Sequence, residues 1–233
     1  MERSRFLKSL LVGSLSVPAL LAACSKDNEV TPSTSNTGSG SCSVVPTETE
    51  GPFPTKVPSS YVRSDIRDGK EGYRMKATIT ITNTSTSCAA LAGALVDIWH
   101  CDAEGNYSEY GGGGMQSTNY QGVHFLRGRQ VTDANGQVTF TTIFPGWYNG
   151  RATHIHVHVY SASGTSLKVT QIAFPEGSGT ALSAVNGYGK GMSGYTYNQN
   201  DNVFGDGVSQ ELAAVTGSIA AGFDLAITFG VAA

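Results

Sequence analysis

In the stretch WYNGRATHIHVHV, histidines stand at alternate positions, His154, His156 and His158, with Tyr148 and Arg151 just upstream. In an extended strand, residues two apart share a face and lie about 6.6 Å apart along the chain. The three imidazoles therefore face one way, and Ile155, Val157 and Val159 face the other. The apolar set suits packing against a second sheet. The imidazole row needs partners, because a buried polar group left unpaired costs about 1–3 kcal/mol. Neutral imidazole is a common metal ligand. A phenol ordinarily titrates near ~10, so Tyr148 joins such a site only where a strongly Lewis-acidic ion draws off its proton. Ferric iron is such an ion, and tyrosinate oxygen with imidazole nitrogen is a donor set that suits it. The plainer alternative is a solvent-facing strand on which histidine is merely tolerated.

Positioning such a cluster falls to strands. Residues 73–82 alternate apolar or β-branched side chains with polar ones, and residues 94–100 form a short apolar and aromatic run after Gly93. Residues 130–143 carry Asn135-Gly136 between two β-rich arms, which predicts a hairpin. Residues 153–160, 167–174 and 223–230 complete the strands, and residues 209–215 are the best helical candidate. Residues 176–207, rich in Gly, Ser, Asn and Tyr without periodicity, read as long loops. The expected class is all-β, an antiparallel sandwich with long loops at the active-site end.

The chain of 233 residues, with 29 glycines and 14% charged residues, has the composition of one folded domain preceded by an export segment. Arg3, Arg5 and Lys8 precede an apolar run and small residues ending at Cys24, which reads as a signal peptide over residues 1–23. Leu21-Ala22-Ala23-Cys24 resembles a lipobox, so the expected contact with a membrane is a lipid on Cys24 and an address at a bacterial cell envelope. Residues 24–41 hold no aromatic side chain and read as a flexible tether, leaving residues 42–233 as the domain. Loss of residues 1–23 changes the formal charge from −3 to −5, and no basic cluster offers a footprint for nucleic acid. Of the pairings open to Cys42, Cys88 and Cys101, Cys42 with Cys88 is favoured, because it pins the end of the tether while Cys101 follows a strand near the site. Nothing in the sequence decides the oligomeric state.

Three segments in order, ETEGPF (residues 48–53), GALVDIWHCDAEGNYSEY (93–110) and TDANGQVTFTTIFPGWYNGRATHIHVHV (132–159), resemble the intradiol ring-cleavage dioxygenases, the superfamily of catechol and protocatechuate dioxygenases, in its secreted single-chain branch. The resemblance covers residues 42–233. It implies a non-haem Fe(3+) cofactor held by Tyr107, Tyr148, His154 and His156, and a reaction of a catechol with O2 that gives a cis,cis-muconate-type product. It further implies that Arg151 stabilises charge building on the substrate, that Gln171 lies near the oxygen-binding region, and that Tyr148 gives way to substrate. Tyr110, three residues from Tyr107, falls outside the expected turn spacing. His158 is expected beyond the ligand set, as a supporting or solvent-facing residue. His100 and His124 are expected to be structural or pocket-lining, and Trp99 and Trp147 to be core residues or pocket walls. Gly51-Pro52-Phe53-Pro54 departs from the family's common G-P-Y-Y, and the short Tyr148 to Arg151 spacing fits the secreted branch; both bear on substrate choice. The rival reading is a non-catalytic surface module that binds a catechol-bearing ligand or a polysaccharide.

Overall fold

The alternating segment becomes β1 (Arg74–Asn83), in which Met75, Ala77, Ile79 and Ile81 are fully buried and the intervening residues lie at or near the surface. This is the period of two expected of a strand with one face on a core. The computed structural model describes residues 42–233; the expected signal peptide, Cys24 and the whole of the tether over residues 24–41 lie outside the described residues. Around β1 run β2 (Ala89–Ala90), β5 (Gln137–Ile143), β9 (Gly222–Val231) and β8 (Ala214–Ser218), forming one sheet. The second sheet has the order β4 (Arg127–Val131), β3 (Leu95–Trp99), β6 (His154–Tyr160), β7 (Ser166–Ala173). All its pairs are antiparallel, whereas in the first sheet β1 and β9 run parallel. The core lies between the sheets, where Ile155, Val157 and Val159 of β6 meet residues such as Ile79, Phe140 and Leu225. The all-β sandwich is therefore the observed class.

Two local expectations fail. Residues 130–143 are not a hairpin: the Asp133–Gly136 turn forms, with Gly136 N–H donating to Asp133 O at 2.9 Å, but β4 pairs with β3 and β5 pairs with β1. The turn carries the chain from one sheet to the other, because Val138 and Phe140 are buried in the core rather than against β4. Residues 209–215 are not a helix either. They form a turn that leads into β8, which pairs with the end strand β9. The short helix α1 (Ala181–Val185) lies instead in the stretch read as loops, started by the Thr180 side chain, which accepts from Ser183 N–H at 3.2 Å.

Cys42 and Cys88 form the favoured disulfide, with Cα atoms 5.6 Å apart, and Cys101 is free and buried. The bridge fastens the start of the domain beside the end of β1. Val45 N–H then donates to Gly230 O at 2.9 Å, laying the segment along β9. Because the closed loop spans 46 residues, reduction should cost about 4 kcal/mol on chain-entropy grounds. Urea unfolding with and without reductant should show this as a lowered midpoint.

Candidate functional site

One row of side chains crosses the second sheet. Arg127 on β4, Trp99 on β3, His156 on β6 and Gln171 on β7 are directly paired neighbours, and all point away from the inter-sheet core. The imidazole face is not open to solvent, since His154, His156 and His158 are all buried. A strap over residues 43–56 covers much of it. Glu48 N–H donates to Val169 O at 3.0 Å, Gln171 Nε2 donates to Thr49 O at 2.8 Å, and Phe53 stacks on Tyr107 with ring centroids 4.8 Å apart. Arg127, fully buried, clamps the strap by donating to Phe53 O at 3.0 Å and to Ser108 O at 2.7 Å.

Two turns bring the phenols in. Asp102 Oδ1 accepts from Glu104 N–H at 3.1 Å and Asn106 N–H at 2.8 Å, fixing the turn that leads to Tyr107. Gly105 in this turn has φ +91°, and a Cβ there would stand 2.2 Å from Trp147 O, so no side chain fits. Gly146 N–H donates to Asp102 O at 3.1 Å, so the turn bearing Tyr148 is docked on the turn bearing Tyr107. The phenols meet edge to face, centroids 5.8 Å apart.

The polar atoms converge. His154 Nε2 lies 3.2 Å from His156 Nε2 and 3.1 Å from the Tyr107 hydroxyl, and Arg151 Nη1 is 3.4 Å from the same nitrogen. His154 Nδ1 lies 2.6 Å from Ala152 O. A carbonyl accepts only, so that nitrogen carries the proton and Nε2 presents a lone pair to the cluster. His156 is held flat against Trp99, with an interplanar angle of 2° and centroids 4.8 Å apart. The Tyr148 ring stands edge to face with His154, centroids 5.7 Å apart. Tyr107, Tyr148, His154 and His156 are thus brought to one place.

Burial sets their protonation. It lowers both His154 and His156 well below the usual imidazole range, helped by Arg151 and, for His156, by His154. It raises Tyr107 well above the usual phenol range, with Tyr148 adding to the effect. It also raises Tyr148, against the pull of the Arg151 guanidinium. Two neutral imidazoles and two protonated phenols result. Nitrogen lone pairs directed at one point, with phenols that ionise only beside a Lewis acid, form a donor set fit for a ferric ion.

Arg151 is fixed from two sides. Its Nε is 2.9 Å from both carboxylate oxygens of Asp201, and its Nη2 donates to Gln171 Oε1 at 2.5 Å. Asp201 is fully buried and also accepts from Ala152 N–H at 2.8 Å and Val203 N–H at 3.0 Å. Sequence reasoning missed Asp201, which sits in a stretch read as loop, and Arg127, which has no periodic signature. Gln171 is in the cluster, touching Arg151.

The remaining candidates fall outside the cluster. Tyr110 turns its hydroxyl to Pro54 O at 2.6 Å. Of the two readings of His158, supporting or solvent-facing, the structure has the first: it is buried, pairs with Glu50 at 2.8 Å, and has its Nε2 2.8 Å from Ser166 Oγ. His100 joins Cys101 O and the Thr142 hydroxyl at 2.8 and 2.7 Å, so it is structural. His124, partly exposed, has its Nδ1 2.7 Å from the Tyr61 hydroxyl and 3.1 Å from the buried Glu109 carboxylate. Trp147 is a core residue, its Nε1 donating to Gly191 O at 2.9 Å.

Comparison with known proteins gives the family. A family model described as Dioxygenase matches residues 57–186, more than half of the chain. An intradiol ring-cleavage dioxygenase from Tetranychus urticae is 29% identical with a TM-score of 0.71, over 82% of this chain and 95% of that one. The chain belongs to the intradiol ring-cleavage dioxygenases. Another similar structure in this company is the dioxygenase domain of a dioxygenase carbohydrate-binding protein fusion from Streptomyces sp. SirexAA-E, 25% identical, TM-score 0.58, covering 82% and 99% of the two chains. A chlorocatechol 1,2-dioxygenase from Rhodococcus opacus is 28% identical over 128 residues, which is 47% of this chain and 46% of that protein. The match therefore spans about half the length of this curated intradiol dioxygenase. Among the described residues, no helix is long and apolar enough to cross a membrane.

Proposed function

We propose that the protein binds a non-haem ferric ion through Tyr107, Tyr148, His154 and His156 and cleaves a catechol-type ring with O2, between its two hydroxylated carbons, to a cis,cis-muconate-type acid. The observation that carries this reading is the pair of buried Nε2 atoms 3.2 Å apart with the Tyr107 hydroxyl 3.1 Å from one of them. Ferric iron would supply the Lewis acidity that lets phenols ionise near neutral pH and the electronic coupling that makes a bound catecholate reactive towards O2. The chain's own groups do the rest. Tyr148, less buried than Tyr107 and beside Arg151, is the phenol placed to accept a proton from an incoming catechol hydroxyl. Arg151, clamped by Asp201 and Gln171, places a fixed positive charge where negative charge builds on the ring. Phe53 and Trp99 wall the cluster against water.

Among the described residues, Arg151 is the cation in contact with the clustered imidazoles, Arg127 is committed to Ser108 and the strap, and Lys190 is committed to Trp147 O. This favours catechol or an uncharged substituted catechol over a carboxylated ring. Oxygen uptake by the iron-loaded chain across a catechol panel tests the function. Ring-opened acid carrying both atoms of 18O2 is expected. No uptake with any member, at full iron content, contradicts it and leaves ligand binding without cleavage.

The strap holds one residue that positions a proposed ligand. Gly51 has φ +67°, and a Cβ there would lie 3.0 Å from His156 Cε1. Gly51→Ala should therefore cost about 1 kcal/mol in backbone strain and press on the His156 ring. Iron affinity should drop by about tenfold, in the range found for groups that orient ligands, as read by competition with a chelator.

We also propose export with a lipid on Cys24. Intact mass of the native mature chain should show residues 1–23 absent and a lipid adduct present; an unprocessed or unmodified chain contradicts this.

A further inference from the structure

Along the outer edge of β7, away from the histidines, three carboxylates face one another. Glu48, Asp206 and Glu211 each bring a carboxylate oxygen within 4.8 Å of the other two. They come from three separate segments. Glu48 is on the strap, bonded through its N–H to Val169 O, and Glu211 precedes β8, its carbonyl accepting from Ala173 N–H at 2.9 Å. Asp206 sits on the exposed loop between Asp201 and Glu211. Among the described residues none of the three makes an ion pair with Lys, Arg or His. Like charges this close need protons or a cation between them. Burial, with Asp206 next, pushes Glu48 up to about 7.

A separate observation concerns Glu211 itself. It is fully buried, its Oε1 accepts from the Thr170 hydroxyl at 2.8 Å, and its Oε2 has no hydrogen-bond partner. The Gln171 backbone approaches the same carboxylate without supplying that partner. Buried carboxylate oxygens are normally satisfied. One left unpaired, on a carboxylate directed at two others, is placed to coordinate.

We propose that Glu48, Asp206 and Glu211 form a site for a hard divalent cation, Ca2+, that ties the strap and the segment before β8 to the edge of β7. The donors are all oxygen, as Ca2+ requires. Three carboxylates from separate segments suit the flexible coordination of Ca2+, with bonds of about 2.3–2.6 Å, better than Mg2+, which demands a near-ideal octahedron at about 2.0–2.1 Å and keeps several waters. The site adjoins the proposed iron centre without sharing a residue with it. Thr49, next to Glu48, accepts from Gln171, and Gln171 holds Arg151. The cation would therefore steady the strap from behind.

Calorimetric titration of CaCl2 into the full-length chain, freed of divalent cations, tests this. One saturable site per chain and a raised melting temperature are expected, with MgCl2 binding more weakly. Asp206→Asn, an exposed position, should weaken Ca2+ by about tenfold or more, since affinity follows ligand charge, and Glu211→Gln should abolish binding. No saturable Ca2+ binding by the unaltered chain overturns the proposal, and so does unchanged affinity in Asp206→Asn. Mg2+ binding as tight as Ca2+ overturns the choice of ion. Should Glu211→Gln fail to fold, Asp206→Asn alone decides.

Discussion

His156→Ala is expected to leave a folded chain that no longer retains iron and no longer opens a catechol ring. Residues that merely orient a ligand are worth about 10–100-fold in metal affinity, so deleting a ligand should cost more than that. Iron per chain after gel filtration should fall below about a tenth of the wild-type value. The fold should persist because the apolar face of β6, not its imidazole face, carries the inter-sheet core. The local loss is the stack on Trp99. In the metal-free chain His156 is a buried neutral imidazole whose Nδ1 lacks a hydrogen-bond partner, so removing it also removes an unsatisfied group. Thermal unfolding of metal-free wild type and variant should therefore differ far less than their iron contents. A variant that keeps full iron and activity would exclude His156 as a ligand.

Asp201→Ala carries the second large effect, and this one is on stability. The carboxylate is fully buried, and its partner Arg151 is only 12% exposed in its side chain. Removing one member of a buried ion pair strands the other, at a cost of about 3–5 kcal/mol. Ala152 and Val203 N–H groups lose their acceptor at the same time. Asp201→Asn separates the roles, since the amide oxygen can still accept from one backbone N–H while the charge is gone. Its expected signature is a kcat reduced by about 10-fold or more with KM much less changed, because a fixed positive charge acts where charge develops. Denaturant titration of Asp201→Ala and steady-state kinetics of Asp201→Asn check the two parts. A kcat preserved in Asp201→Asn would make the residue purely structural.

How much of this could be read from the sequence depended on the range of the interactions. β6 was legible because strand alternation is local: three apolar residues and three histidines at period two define two faces without reference to anything else. Tyr107 was assigned only through the family resemblance, since no local pattern around it marks a ligand. The Asn135-Gly136 pair correctly marked a turn but not the partners of its arms. Turn chemistry decides where the chain reverses, whereas the burial of Val138 and Phe140 between the sheets decides what β5 pairs with. Residues 214–218 became β8 only because β9 offers a free edge. Asp201 could not be found from its neighbours, since its partner Arg151 is fifty positions away in the chain. His158 stayed open between a supporting and a solvent-facing place because its cover, Glu50, belongs to the strap over residues 43–56.

The central claim is that two phenolates and two imidazoles hold one ferric ion. Visible absorption and resonance Raman spectra of the iron-loaded chain test it most directly, alongside Tyr107→Phe and Tyr148→Phe. The predicted result is a broad tyrosinate-to-iron charge-transfer band with enhanced phenolate vibrations, shifted and weakened in each variant. An iron-loaded chain without the band, or one whose band is unchanged in both variants, would contradict it.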